Sequence, residues 1–102
     1  MKKLILFAAL AVVTFSCNKV KTGDVTFWQA TGSGTGITVV SLNNVSSNIT
    51  SEYTSSPSCG DAGCAVFNGV EEGVYNYTAS DGSNTWAGTV DVSEGCTVVE
   101  LY

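Results

Sequence analysis

The sequence is constrained most strongly by a segment near its carboxyl end in which apolar and polar side chains alternate strictly. In Gly73–Ser80, the side chains of Tyr75, Tyr77 and Ala79 point to one side of an extended chain. Alternation with a period of two, carried by aromatic and β-branched residues, is typical of a strand with one buried face. The rest of the chain must therefore supply a second layer that covers this face.

The residues after this strand predict a hairpin. Asp81-Gly82 provides the positive φ that a tight turn needs. The return strand, residues 86–92, places Trp86 and Gly88 on one face, and a glycine inside a strand often marks a bulge or a close backbone approach.

Two further strands are predicted on either side of this hairpin. Residues 65–67 form a short strand that ends at Asn68-Gly69, and residues 96–102 form the last strand after the turn Ser93-Glu94-Gly95. We therefore expect residues 64–102 to fold as a four-stranded antiparallel meander.

The earlier part of the chain adds three predicted strands, at residues 24–30, 37–42 and 49–53, with Asn43-Asn44 as the turn between the last two. The glycine-rich residues 31–36 lack the lysine and the following helix of a phosphate-binding loop, so we interpret them as a connection. About seven short strands with regular turn signals predict an all-β fold, a small antiparallel β-sandwich.

The amino-terminal residues predict a leader. Lys2-Lys3 is followed by ten apolar residues, a run that is too short to span a bilayer but suits a secretory signal. Residues 1–16 followed by Cys17 resemble a bacterial lipoprotein signal peptide, which implies that the Cys17 thiol accepts a diacylglycerol and becomes the new amino terminus. The alternative is ordinary signal-peptidase cleavage near the same place, which would release a soluble domain.

The resemblance to a lipoprotein signal implies an organisation and a location. Residues 17–23 would be a lipid-anchored tether and residues 24–102 the β-sandwich domain. We expect the protein in the bacterial cell envelope, attached to a membrane, most often the outer membrane, through the lipid and its acyl chains, palmitate among them.

The charge of the chain excludes one class of partner. After the leader is removed, nine acidic residues face only two lysines, Lys19 and Lys21. Because a strongly acidic surface repels phosphate backbones, we expect no nucleic-acid binding.

The residue types also argue against catalysis. The chain contains no histidine, the commonest general base and metal ligand, and its two remaining lysines lie in the tether. Glu71-Glu72 occupies a predicted turn, where carboxylates face solvent. We therefore predict no enzyme activity, no cofactor and no metal site.

Three cysteines remain for disulfide pairing once the lipidated cysteine is set aside: Cys59, Cys64 and Cys96. Loop-closure entropy gives about 2 kcal/mol for a Cys59–Cys64 bond and about 4 kcal/mol for Cys59–Cys96. The glycines at 60 and 63, however, let the short loop fold back easily, so Cys59–Cys64 is the predicted pair. A zinc site is disfavoured because a fourth ligand is missing.

The aromatic residues are candidates for binding. Aromatic side chains on a β-sandwich stack on sugars or anchor protein partners, and the candidates are Trp28, Tyr53 and Trp86. The leading hypothesis is a non-catalytic binding or structural module of the envelope. The alternative is a secreted or surface recognition domain that binds carbohydrate or protein through exposed aromatics or a strand edge. A third hypothesis, a protease-inhibitor-like module, uses residues 59–64 as a rigid exposed loop.

The pattern of the carboxyl-terminal strands carries a resemblance to a known family. The motif consists of Phe67, Gly73, Tyr75, Tyr77 and Ala79, then Trp86, Gly88, Val90 and Val92, then Val98 and Leu101. It is similar to the end of a carboxypeptidase-regulatory-like, or transthyretin-like, β-sandwich. The resemblance implies a sandwich fold in an accessory, binding or spacer domain, and fold alone does not assign an activity.

Overall fold

The structure is a computed structural model that describes residues 21–32 and 36–102. These residues form seven strands and no helix, which confirms the predicted small all-β sandwich. The strands are β1 (Thr22–Gln29), β2 (Thr38–Leu42), β3 (Val45–Ile49), β4 (Ala65–Glu71), β5 (Gly73–Ser80), β6 (Thr85–Val92) and β7 (Gly95–Leu101).

The strands form two sheets that pack face to face. One sheet has the order β4-β1-β7 and the other the order β3-β2-β5-β6. Neighbouring strands are antiparallel except for β1 and β7, which are parallel.

The predicted meander of residues 64–102 is therefore wrong. Only β5 and β6 pair with each other, whereas β4 and β7 lie on either side of β1 in the other sheet. The reason is the burial of β1 on both of its faces. Water cannot reach its backbone N–H and C=O groups, so these groups need a strand partner on each edge. β1 also begins at Thr22, two residues earlier than the predicted start.

The β2–β3 hairpin confirms the turn at Asn43-Asn44. Both asparagines have positive φ, 52° and 65°, as a two-residue hairpin turn of the I′ type requires. This turn pairs Leu42 with Val45, so the return strand starts at once. The prediction of a third strand at residues 49–53 is wrong for that reason, since β3 ends at Ile49.

β4 is longer than predicted because the chain continues through Gly69. Gly69 has a φ of 68°, and its N–H donates a hydrogen bond of 3.0 Å to Asp24 Oδ1. The pairing register of β1 with β4 shifts between Gly23 and Val25. A bulge in the ladder therefore replaces the strand end that Asn68-Gly69 predicted.

The core lies between the two sheets, and the predicted faces of β5 and β6 are confirmed. Tyr75, Tyr77 and Ala79 point inward from β5, and the Tyr77 ring lies over Gly88 on the neighbouring strand. Phe27 is fully buried, with its ring centroid 5.7 Å from that of Phe67 and 4.9 Å from that of Tyr77. The buried cluster consists of Val25, Phe27, Val40, Leu42, Ile49, Ala65, Phe67, Ala79, Val90, Val92 and Leu101.

Gly23, which the sequence placed in the tether, packs against the turn between β6 and β7. A Cβ atom at this position would lie 1.9 Å from the Ser93 carbonyl oxygen. Because that obstacle is backbone, we expect Gly23→Ala to lower the free energy of unfolding by about 3 kcal/mol. Urea denaturation followed by tryptophan fluorescence measures this change.

Gly36→Ala is the matched control for this substitution. Nothing lies within 4 Å of a Cβ added at Gly36, so we expect its stability to change by less than about 0.5 kcal/mol. Equal stability of the two variants would contradict the packing of Gly23 against the turn.

Candidate functional site

The cysteine that carries the predicted lipid lies outside the described residues. The structure begins at Lys21, so Cys17 and residues 1–20 have no structural description. The lipidation of Cys17 stays a prediction from the sequence.

The disulfide joins Cys59 to Cys96, with the two Cα atoms 6.2 Å apart, and the predicted Cys59–Cys64 pair is wrong. The segment after β3 crosses the outer face of the three-stranded sheet. There Gly60 N–H donates a hydrogen bond of 3.0 Å to Thr26 Oγ1, and Cys59 Sγ lies 3.6 Å from the same oxygen. The glycines at 60 and 63 do adopt positive φ, but they turn the chain so that Cys59 faces β7.

The pairing also changes the interpretation of residues 59–64 as a self-closed loop. Consecutive turns coil this segment: Asp61 N–H donates to the Ser58 carbonyl, and Cys64 N–H donates to the Asp61 carbonyl. The loop is attached to the sheet through Cys59 instead of being closed on itself. The protease-inhibitor-like hypothesis required such a closed, exposed loop, so it loses its structural basis.

Cys64 is a free, buried thiol next to Tyr53. Burial raises the pKa of the Cys64 thiol, and the nearby Asp61 carboxylate raises it further. A protonated thiol is a poor nucleophile and a poor metal ligand. Cys64 therefore packs as a small apolar side chain under the segment that follows β3.

Tyr53, a predicted binding residue, is engaged within the protein. Its backbone N–H donates to the Gln29 carbonyl at 3.0 Å, its carbonyl accepts from Thr31 N–H at 3.1 Å, and its hydroxyl donates to the Ala62 carbonyl. Partial burial raises the pKa of the Tyr53 hydroxyl, and the neighbouring Cys64 adds to the effect. Tyr53 thus holds the 50–64 segment at the end of β1.

Trp28, the second predicted binding residue, is buried on the opposite face of β1 from the main core. Its side chain is only 7% exposed, because it shares the face of Thr26, over which the 50–64 segment passes. This burial leaves almost no indole surface on which a ligand could stack.

Trp86, the third predicted binding residue, is half-buried and lines an open cavity between β6 and β7. The turn Ser93-Glu94 joins β6 to β7 at one end, and the two strands belong to different sheets. At the other end, residues 85–87 of β6 and residues 98–102 lie around a cavity of about 720 Å³, with Tyr77 also in its lining. We call this cavity the β6–β7 wedge.

Half-buried side chains form the floor of the wedge, and one carboxylate, that of Glu100, lies beside it. Val99, Tyr77 and Trp86 are half-buried and pack against the core cluster. Glu100 alternates with Val99 and Leu101 along β7, so its carboxylate lies on the outer side. Tyr102, 91% exposed, stands at the mouth of the wedge.

The Asp81-Gly82 loop is held by hydrogen bonds within the turn. Asp81 Oδ1 accepts hydrogen bonds from Ser83 N–H at 2.9 Å and Asn84 N–H at 2.6 Å, and Oδ2 accepts one from the Asn84 amide. The carboxylate therefore stabilises the hairpin turn. Residues 21–32 and 36–102 contain no group of three histidine, cysteine, aspartate or glutamate residues placed to hold a metal ion.

One buried polar residue was missed by the sequence reasoning. Gln29 is fully buried, and its Oε1 accepts a hydrogen bond of 2.7 Å from Thr38 Oγ1. The sequence does indicate this burial, because Gln29 continues the alternation of Val25 and Phe27 on the inward face of β1. This bond links the two sheets at the end where the wedge is open.

No protein-family model matches the chain, and no curated protein matches it either.

In the part of the chain that the structure describes, no helix has the length and apolar character needed to cross a membrane.

Proposed function

We propose that this protein is a non-catalytic binding module of the bacterial cell envelope, held at a membrane by a lipid on Cys17. The observation that supports binding is the β6–β7 wedge, where the half-buried Trp86 borders an open cavity of about 720 Å³. Ligand sites are commonly concave and apolar, with a few polar groups at the rim, and their volumes fall in this range. The similarity to transthyretin-like accessory domains is part of the same proposal.

The anchor is supported by the leader and by the position of the first strand. The ten apolar residues, the preceding lysines and Cys17 make up the leader, and the folded domain begins at Thr22. A second candidate is a soluble secreted recognition domain, which differs from the first only in that it carries no lipid on Cys17.

The anchor is tested by metabolic labelling with radioactive palmitate and by membrane fractionation. We expect label and membrane retention in the unmodified protein and complete loss of both in Cys17→Ala, because acyl chains provide the stable attachment. Cys64→Ala removes a different thiol and is the matched control, for which we expect full labelling. Label that persists in Cys17→Ala would refute Cys17 as the acylated residue. Absence of label and of membrane retention in the unmodified protein would refute the anchor and favour the secreted domain.

A further inference from the structure

Within residues 21–32 and 36–102, β7 has one backbone edge without a strand partner. It is the last strand of the three-stranded sheet and pairs only with β1. On its other side, alternate N–H and C=O groups face the β6–β7 wedge. Natural proteins protect such edges with charged side chains, above all lysine, or with proline or a bulge. Residues 96–101 contain no lysine, proline or bulge, and their single charge is Glu100. The edge is therefore open to an added strand.

The dimensions of the wedge suit one extended segment. Four residues of β7, 98–101, and the following Tyr102 line it, against three residues of β6, so we expect an added strand to pair with β7. Five residues of strand extend about 17 Å, and a neighbouring strand lies about 4.8 Å away. In a strand paired with β7, every second side chain would point down onto Trp86, Tyr77 and Val99. Those side chains should be apolar.

The other side chains of an added strand would lie beside Val98 and Glu100 on the outer side of the sheet. All nine acidic residues of the chain lie in the described part, where Lys21 is the only basic residue. Lys21 precedes β1, at the opposite end of the sandwich from the open wedge. A segment with basic side chains on this side complements Glu100 and is attracted by the whole molecule. An acidic segment is repelled, and so is a second copy of this acidic chain.

We propose that the β6–β7 wedge binds an extended segment of a partner protein, in which basic and apolar residues alternate, by adding it as a strand to β7. Backbone hydrogen bonds to β7 provide affinity, and the alternation of side chains provides specificity. This inference rests on the proposed binding function and names the chemistry of the partner.

The test measures fluorescence anisotropy of a labelled octapeptide in which lysine alternates with valine, titrated with the detergent-solubilised full-length protein. We expect saturable binding that weakens as salt is raised. Two altered peptides test the two recognition elements: glutamate in place of lysine removes the charge match, and N-methylation of alternate amides removes the backbone donors. We expect each to bind at least about tenfold more weakly.

Protein variants locate the binding site. Trp86→Ala should weaken binding of the lysine–valine peptide by about tenfold, as loss of a central aromatic anchor does. Val98→Lys places a cation on the edge of β7 and should weaken binding of the peptide by a similar factor. Val74→Lys is the matched control: Val74 is 71% exposed on the outer face of β5, outside the wedge, and the charge change is identical. We expect the affinity of Val74→Lys for the lysine–valine peptide to stay within about twofold of that of the unmodified protein.

Three outcomes would overturn the proposal: no binding of the lysine–valine peptide, equal binding of the glutamate or N-methylated peptide, or equal weakening in Val98→Lys and Val74→Lys. A neutral oligosaccharide serves as a separate arm, read by quenching of tryptophan fluorescence. If the oligosaccharide binds in a Trp86-dependent manner and the peptide does not, the strand-addition proposal fails while the proposed binding function stands. If neither probe binds, strand addition is overturned, and the palmitate experiment still reports separately on the anchor.

Discussion

Replacing Cys59 and Cys96 together by serine is expected to lower the free energy of unfolding by about 4 kcal/mol. The bond joins residues 37 positions apart, and closing a loop of this length removes that much chain entropy from the unfolded state. It also attaches the segment between β3 and β4 to the outer face of the three-stranded sheet. The free energy of unfolding of a small domain is about 5–15 kcal/mol, so the variant should lose a large share of its stability.

Urea denaturation, followed by tryptophan fluorescence, measures this loss, and the double substitution avoids a new pairing with Cys64. Cys64→Ala is the control: it removes a buried thiol but keeps the disulfide, so we expect a loss of only about 1 kcal/mol. Peptide mapping of the unreduced protein should recover Cys59 linked to Cys96. A Cys59–Cys64 peptide, or equal losses in the two variants, would contradict the structure.

Phe27→Ala is expected to cost about 4 kcal/mol of unfolding free energy. Phe27 is fully buried in the centre of β1, where its ring contacts Phe67 edge-on and Tyr77 at a tilt. Truncation removes the buried ring, leaves a cavity between the sheets and ends both aromatic contacts. The same denaturation experiment gives the size of the loss.

Val74→Ala is the control for the core substitution, because Val74 is 71% exposed on the outer face of the four-stranded sheet. We expect it to change stability by less than about 0.5 kcal/mol. If Phe27→Ala were as stable as Val74→Ala, the two sheets could not pack around β1 as described.

Local patterns predicted the β5–β6 hairpin and the turn at Asn43-Asn44. The alternation around Tyr75 and Tyr77 determines which face of β5 is buried, and Gly82 and Asn43-Asn44 adopt the positive φ that their turns require. These features depend on neighbouring residues, so the sequence contains them directly.

The sheet to which each strand belongs could not be predicted in this way. β4 follows β3 and precedes β5 along the chain, yet it pairs with β1. Alternation identifies a strand and its buried face but not its partner, and the choice here depends on the non-local need to cover both edges of β1.

The candidate site was only partly predictable for the same reason. Trp28 and Trp86 both belong to strands with aromatic and polar alternation, but Trp28 is buried on the outer face of β1, whereas Trp86 is half-buried and borders the wedge. The disulfide likewise depends on how the Cys59 turn faces β7. The wedge itself arises because consecutive strands β6 and β7 enter different sheets, which no local pattern signals.

The parallel pairing of β1 with β7 has a consequence for orientation. Both strands start at the same end of the sandwich, and Gly23 lies beside Gly95 there. Thr22 follows Cys17 by five residues, which span at most roughly 17 Å. If Cys17 carries the proposed acyl chains, that end would lie near the bilayer, and the opening near Trp86 and Tyr102 would face away from it. An incoming segment would thus meet the protein from the aqueous side, without displacing lipid headgroups.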